Sequence, residues 1–218
     1  MKTWKSIILI AIAILLNSCI VKSLQPFYTK DSLSFDKNLL GNWIDNKKGE
    51  WTVESIKEKF EQDKREGVTL SEEDKVAYET YKSGYYIKYL KKEKEASFIA
   101  MPFKINNQYF LDFIPIEIGD EEINSLAAEH LLKTHSVAKL DINKTVSLSW
   151  LDESKVKDIF NANKMRLKHE NIGPEEALLL TATSEELYAF LKKYMKANIE
   201  NKWKKSDQLT LTKTNAKP

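Results

Sequence analysis

The sequence predicts a mainly β fold of the α+β kind, with antiparallel strands, helical insertions and a late C-terminal helix. Three observations carry that expectation. Between residues 84 and 150 apolar side chains recur with period two over several runs, the spacing that puts them on one face of a strand. Short turn signals join most of these runs, which favours antiparallel pairing over parallel strands with crossovers. Helical spacing takes over only in limited segments, notably 57–83 and the stretch that opens at Thr183. With 42% apolar and 30% charged residues in 218, a packed core is expected and global disorder is not.

The N-terminus is a different kind of segment. Lys2 and Lys5 precede ten uninterrupted apolar residues, Ile7 to Leu16, and Leu16-Asn17-Ser18-Cys19 follows. A spanning helix needs about 20 apolar residues, so this run has the length of a signal-peptide core. The stretch resembles the precursors of bacterial lipoproteins, whose lipobox ends in a small residue and a cysteine. The resemblance implies that residues 1–18 are a lipoprotein signal peptide, that Cys19 carries palmitate-type acyl chains, and that residues 19–36 are a lipidated tether. In enterobacterial lipoproteins an Asp after the cysteine retains the protein at the inner membrane. Ile20 stands there instead, which implies the cell outer membrane, facing the periplasm, or the cell membrane of a Gram-positive host. Each buried methylene contributes about 0.8 kcal/mol, so two or more chains make a stable anchor. The single cysteine rules out an internal disulfide and a cysteine-rich metal site.

The remaining elements are read within one domain at 37–218. Leu39 to Ile44 predicts a first strand, and Trp51 with Val53 a second. Residues 57–83 read as a charged helical insertion, Ile56 and Phe60 forming the apolar face of its first helix. Ser71 opens its second helix, with Val76, Thr80 and Tyr81 turned inward and Gly84 as its stop. Tyr85, Ile87 and Tyr89 then alternate, as do Ile99, Met101, Phe103 and Ile105. Asn106-Asn107 predicts a two-residue hairpin turn. The return strand places Tyr109, Leu111 and Phe113 on one side and Phe110, Asp112 and Ile114 on the other. Asp120 to Leu132 has helical spacing. A second hairpin runs from Ala138 to Trp150, and Asp152 caps a helix through Phe160. Short strands are expected at Met165–Glu170 and Leu178–Thr181. Thr183 to Glu186 forms a capping box for a helix with Leu187, Phe190, Leu191 and Tyr194 on one stripe. Leu209 and Leu211 mark a last strand. Nine or ten short strands hide their edges best by curling into a barrel.

Gly41-Asn42-Trp43, together with a late helix and final strand over 187–213, is similar to the lipocalin pattern. That resemblance implies a lipocalin-like barrel whose base is packed by Trp43, with Lys213 as the basic residue crossing it.

Candidate chemistry is sparse. Without Lys2 and Lys5 the chain carries 32 basic and 32 acidic side chains, and this neutrality argues against nucleic acid as a partner. His130 and His135 are five apart, which suits neither helix nor strand for joint ligation, and His169 is remote; no metal site and no cofactor are expected. Asp112 sits mid-strand among apolar neighbours. If its face is buried it needs a partner, and His135 or a tyrosine hydroxyl could supply one, which marks Asp112 and His135 as a speculative polar pair. No nucleophile motif or phosphate-binding loop is present, so no catalytic residue is assigned. Residues 192–218 hold eight Lys and two acids, which read as a solvated helix face and basic tail, or as attraction to anionic envelope polymers and lipid headgroups. The expected role is non-catalytic binding of an apolar or amphipathic small ligand by a membrane-anchored envelope protein. A structural lipoprotein contacting an envelope protein partner is the alternative, and an uncharacterised hydrolase the third reading.

Labelled palmitate is expected to enter the expressed protein and to be lost in Cys19→Ser, with loss of the protein from the membrane pellet. Equal retention of both forms would remove the anchor.

Overall fold

The computed structural model describes residues 20–69, 71–118 and 131–214. In chain order these form β1 (Lys22–Ser23), β2 (Gly41–Asp45), β3 (Glu50–Ser55), α1 (Ile56–Arg65), α2 (Glu72–Tyr81), β4 (Tyr85–Lys91), β5 (Lys94–Ile105) and β6 (Gln108–Ile118). They continue with β7 (His135–Ile142), β8 (Val146–Trp150), α3 (Glu153–Asn161), β9 (His169–Ile172), β10 (Ala177–Leu180), α4 (Ser184–Lys196) and β11 (Leu209–Lys213). The helix expected at 120–132 falls almost wholly outside the described residues.

Strands β2 to β8 form an antiparallel meander in which each pairs with the next. β11 then closes the cylinder by pairing with both β8 and β2, Leu209 opposite Leu148 and Lys213 opposite Trp43. The result is a closed, antiparallel eight-stranded barrel with helical insertions, an arrangement like that of a lipocalin barrel. Closure removes the exposed edges that an open sheet would present. A ribbon of β1, β10 and β9 branches from the start of β7, where Ser23 of β1 lies opposite His135.

β5 and β6, at 12 and 11 residues, outlast their neighbours. Their prolines are tolerated for that reason: β4 pairs with β5 only as far as Ala100, short of Pro102, and β7 pairs with β6 only as far as Phe113, short of Pro115. Asn106 supplies a positive φ of 54° at the turn between them.

Side-chain alternation on this long ribbon feeds two cores. Ala100, Leu111 and Phe113 point into the barrel with Trp43, Trp51 and Leu148. Phe103, Ile105 and Phe110 point outward, into a second core with α3, α4, Val21 and Phe27. Among the described residues, the buried members of both cores run from Val21 to Leu211, so a chain beginning at Ile20 carries all of those.

Three expectations need correction. Residues 20–36 are no tether: Val21, Ser23 and Phe27 are fully buried, and the segment lies as a strap across the outer wall. Its polar composition hid three inward positions, two of them in the outer core. On α2, Val76 is 67% exposed and Thr80 is exposed as well, and Tyr78 turns inward instead to stack on Phe60 at 3.8 Å between ring centroids. An aromatic ring buries more area than a valine, so the helix rotates to favour it. The strand expected at Met165–Glu170 begins only at His169, because the chain leaves α3 through a left-handed Asn163 (φ 52°) and runs irregularly to that point.

Gly84 and Gly41 both lie against close neighbours. A side chain at Gly84 would displace the Met101 sulfur and press on the carbonyls of Tyr81 and Ala100, so glycine suits the point where the insertion rejoins the barrel. Gly41 has a φ of 114° and lies against the Lys213 stem.

Phe27→Ala is expected to cost about 3–5 kcal/mol in a denaturant titration, while Leu24→Ala, at a partly exposed site on the same strap, should stay within about 0.5–1 kcal/mol. Equal, negligible effects would restore the tether.

Candidate functional site

The barrel interior comes first, because a lipocalin-like cylinder suggests a ligand chamber. Here it is filled. Trp43, Trp51, Tyr85, Phe113 and their aliphatic neighbours leave a void of about 30 Å³ with an apolar lining. That volume would admit a water or two, but apolar walls offer no hydrogen bonds to hold them. The lumen is a packed core.

At one end of the barrel Trp43 and Lys213 lie together. The Trp43 indole N–H donates to the Leu39 carbonyl at 2.9 Å, and the Lys213 ammonium sits 5.2 Å from the Trp43 ring while donating to the Asn38 carbonyl at 3.3 Å. The absence of a side chain at Gly41 gives the lysine stem its path. Trp43 is buried there, while Lys213 stays exposed.

The sequence-marked acid is buried. Asp112 is 0% exposed, on the outer face of β6 beneath the strap. Its Oδ1 lies 2.6 Å from Nδ1 of His135, whose side chain is 13% exposed, and its Oδ2 accepts the Phe27 N–H at 2.7 Å. Burial pushes the Asp112 carboxyl above the ordinary carboxylate range, and the contacts with His135 and Phe27 pull it back only in part. Burial also raises the nearby Tyr28 hydroxyl well above its usual range, with Asp112 and then Tyr81 adding to the effect. A carboxylate on Nδ1 is the arrangement that orients an imidazole for catalysis or ligation. Here its other oxygen holds backbone, and neither side chain lines the lumen or the cleft described next. The pair fastens the strap to the barrel.

The larger apolar opening lies outside the cylinder. α1 and α2 fold back over the outer wall and leave a cleft of about 230 Å³ between the helical hairpin and β4–β6. Its apolar walls include Phe60, Tyr78, Tyr81 and Tyr86, with Ile99 and Ile116 from the barrel wall. Lys59, Asp63 and Asp74 add charge to its lining, the Lys59 ammonium lying 5.4 Å from the Tyr86 ring. Local chemistry builds the hairpin: Ser55 accepts the Glu58 N–H to cap α1, and Ser71 and Asp74 form a reciprocal capping box on α2. The hydrogen bond to Ser71 holds the Asp74 carboxyl below its ordinary value. Such a cleft can hold an apolar or aromatic group and address a polar end.

Phe60 and Ile56 were legible as the face of a helix; Tyr78, Tyr86 and Ile99 were not, because their meeting is tertiary. The other histidines do not converge on a site. His169 stacks on Phe160 at 4.6 Å and contacts the Leu167 carbonyl through Nδ1 at 2.8 Å, and His130 lies outside the described residues, as does Cys19. Among the described residues no group of three His, Cys, Asp or Glu could hold a metal ion, and no helix is long and apolar enough to cross a membrane. Asp45 escaped the sequence reading: buried, it accepts the N–H of Lys47 (2.7 Å) and Gly49 (2.8 Å) and the Trp51 indole N–H (2.9 Å), closing the β2–β3 turn. No protein-family model matches the chain, and neither a curated protein nor a solved structure is significantly similar to it.

Because the folded chain holds the Asp112 proton more tightly than the unfolded chain, stability should fall as pH rises from the ordinary value of 3.8 through the raised native value, and then level off. Asp112→Asn, which cannot ionise, removes that component. Its urea midpoint relative to the parent is expected to rise across this window, and parallel pH profiles would show that the carboxyl is not perturbed.

Proposed function

We propose that this is a lipid-anchored cell-envelope protein that binds an apolar or amphipathic small ligand in the cleft between the α1–α2 hairpin and the barrel wall. The observation that carries the reading is the contrast in space: about 230 Å³ beneath the hairpin against about 30 Å³ in the lumen. The barrel fold is compatible with binding a small apolar ligand, and the packed lumen moves that ligand to the outer wall. Small-molecule sites are mostly apolar concavities with a few placed polar groups. The cleft answers to that description, with aromatic walls and Lys59, Asp63 and Asp74 among its lining residues. Its size suits a ring system or part of an acyl chain. The lipobox at Cys19 supports an address at the outer membrane facing the periplasm, or at the cell membrane of a Gram-positive host.

A second reading rests on a separate observation. Val68 and Val76 stand 51% and 67% exposed on the helical insertion, and neither lines the cleft. Apolar side chains presented on a charged hairpin suit contact with an envelope protein partner.

The chain beginning at Ile20 is expected to bind a fluorescent apolar probe such as 1-N-phenylnaphthylamine. Tyr78→Ala and Phe60→Ala should each weaken that binding about tenfold, from lost ring contact and buried area, and Val76→Ser should leave it unchanged. Undiminished probe binding in both aromatic variants would place the ligand elsewhere. A co-purifying protein lost only in Val76→Ser would favour the partner reading.

A further inference from the structure

A second groove lies on the far side of the outer core, between α4 and the irregular stretch that leads from α3 into β9. It encloses about 460 Å³, about twice the volume of the aromatic cleft. Its shape follows from local rules. At the end of α3 the Lys164 N–H reaches the Ile159 carbonyl and the Asn163 N–H reaches the Phe160 carbonyl, both at 3.0 Å, the pattern of a helix closed through a left-handed residue. That closure turns residues 164–168 alongside α4, and the His169 contact with the Leu167 carbonyl holds their far end. On α4 the groove meets Glu186, Ala189, Phe190 and Lys193, which share one face at i, i+3, i+4 and i+7.

Met165, Leu167 and Phe190 belong to the outer core or pack against it, and they give the groove an apolar floor. Lys164, Arg166 and Lys193 add three cations to its walls, and none of them is ion-paired with an acid among the described residues. The one acid in the lining, Glu186, accepts the Thr183 N–H at 2.9 Å, so its carboxylate is engaged at the start of its own helix. Exposed Lys168, Lys192 and Lys196 lie next in sequence to the same walls, and no acid occurs in 162–168 or 187–196. Cations with no acid partner among the described residues, set around an apolar floor, complement an anion that carries hydrocarbon.

We infer that this groove seats the anionic headgroup of a membrane phospholipid, its phosphate against Lys164, Arg166 and Lys193 and its first methylenes over Met165 and Leu167. The inference needs neither the acyl anchor at Cys19 nor the aromatic cleft. It gives the α4 side of the molecule a preferred face toward an anionic bilayer.

The test uses the chain beginning at Ile20, which has both cores and no acyl chains. It is sedimented with vesicles of phosphatidylcholine alone, or with about a third phosphatidylglycerol. Binding is expected only to the anionic vesicles. The triple variant Lys164→Gln, Arg166→Gln, Lys193→Gln should bind roughly 100-fold more weakly, as three lost basic contacts imply. A control triple at exposed positions elsewhere, Lys64→Gln, Lys133→Gln, Lys144→Gln, removes the same charge and should bind almost as well as the parent. Ala189→Asp, which places a carboxylate in the groove, should weaken binding by itself, and circular dichroism checks that each variant is folded. Equal losses in the two triples would overturn the inference in favour of diffuse charge, as would failure to bind anionic vesicles. Displacement by millimolar inorganic phosphate at constant ionic strength would also overturn it, since the groove would then be a site for the free anion.

Discussion

The structure depends on a ribbon that is apolar on both faces. β5 and β6 send Ala100, Leu111 and Phe113 into the barrel and Phe103, Ile105 and Phe110 away from it. A barrel closes only the first of these faces. The second would stand in water at a cost of about 25 cal/mol per Å² of apolar surface. The strap, α3, α4 and the small β1–β10–β9 ribbon are the layer that covers it, and the α1–α2 hairpin covers the Ile99 end of the same wall. The additions to the cylinder are therefore the other half of one hydrophobic problem.

Asp112 is a buried acid in that wall, and its environment explains why the strap lies where it does. A carboxylate at 0% exposure must be paired or neutral. It meets an imidazole on one oxygen and a backbone N–H on the other, and the second contact fixes the strap at Phe27, whose ring is itself fully buried. One residue thus links β6, β7 and the N-terminal segment. Lys202 does comparable work at the opposite end of the outer layer. Its ammonium donates to the carbonyls of Tyr194, Met195 and Ala197 at 2.7–3.1 Å, closing the C-terminal end of α4 before the chain returns to the barrel as β11.

The same packing decides where a ligand can go. Large aromatic side chains from neighbouring strands fill the lumen, so the cylinder acts as a rigid support. Openings form where rods meet a curved wall and cannot follow it: beneath the α1–α2 hairpin and between α4 and the exit from α3. The first has aromatic walls and the second a cationic rim, so the two present different chemistry from one scaffold. Two helices bearing few apolar residues cannot seal against the sheet, which is why the charged composition of 57–83 ends in a cleft rather than a third core.

The sequence by itself determined the antiparallel β character, the helical insertion, the capping boxes at Ser71 and Thr183, and the alternation that put Asp112 on the same face as Phe110 and Ile114. Each of these depends on residues a few positions apart, and such spacings translate directly into faces and ends. It also named His135, beside a tyrosine hydroxyl, among the candidate partners of Asp112, since a buried carboxylate demands a donor. Only the tertiary structure decided that residues 20–36 pack, that Tyr78 rather than Val76 turns inward, that the lumen is full, and that Lys164, Arg166 and Lys193 share a groove. Those outcomes turn on which surfaces compete for the same space. Contact between residues tens of positions apart is settled by volume and burial across the whole chain, and leaves no periodic trace in any one segment.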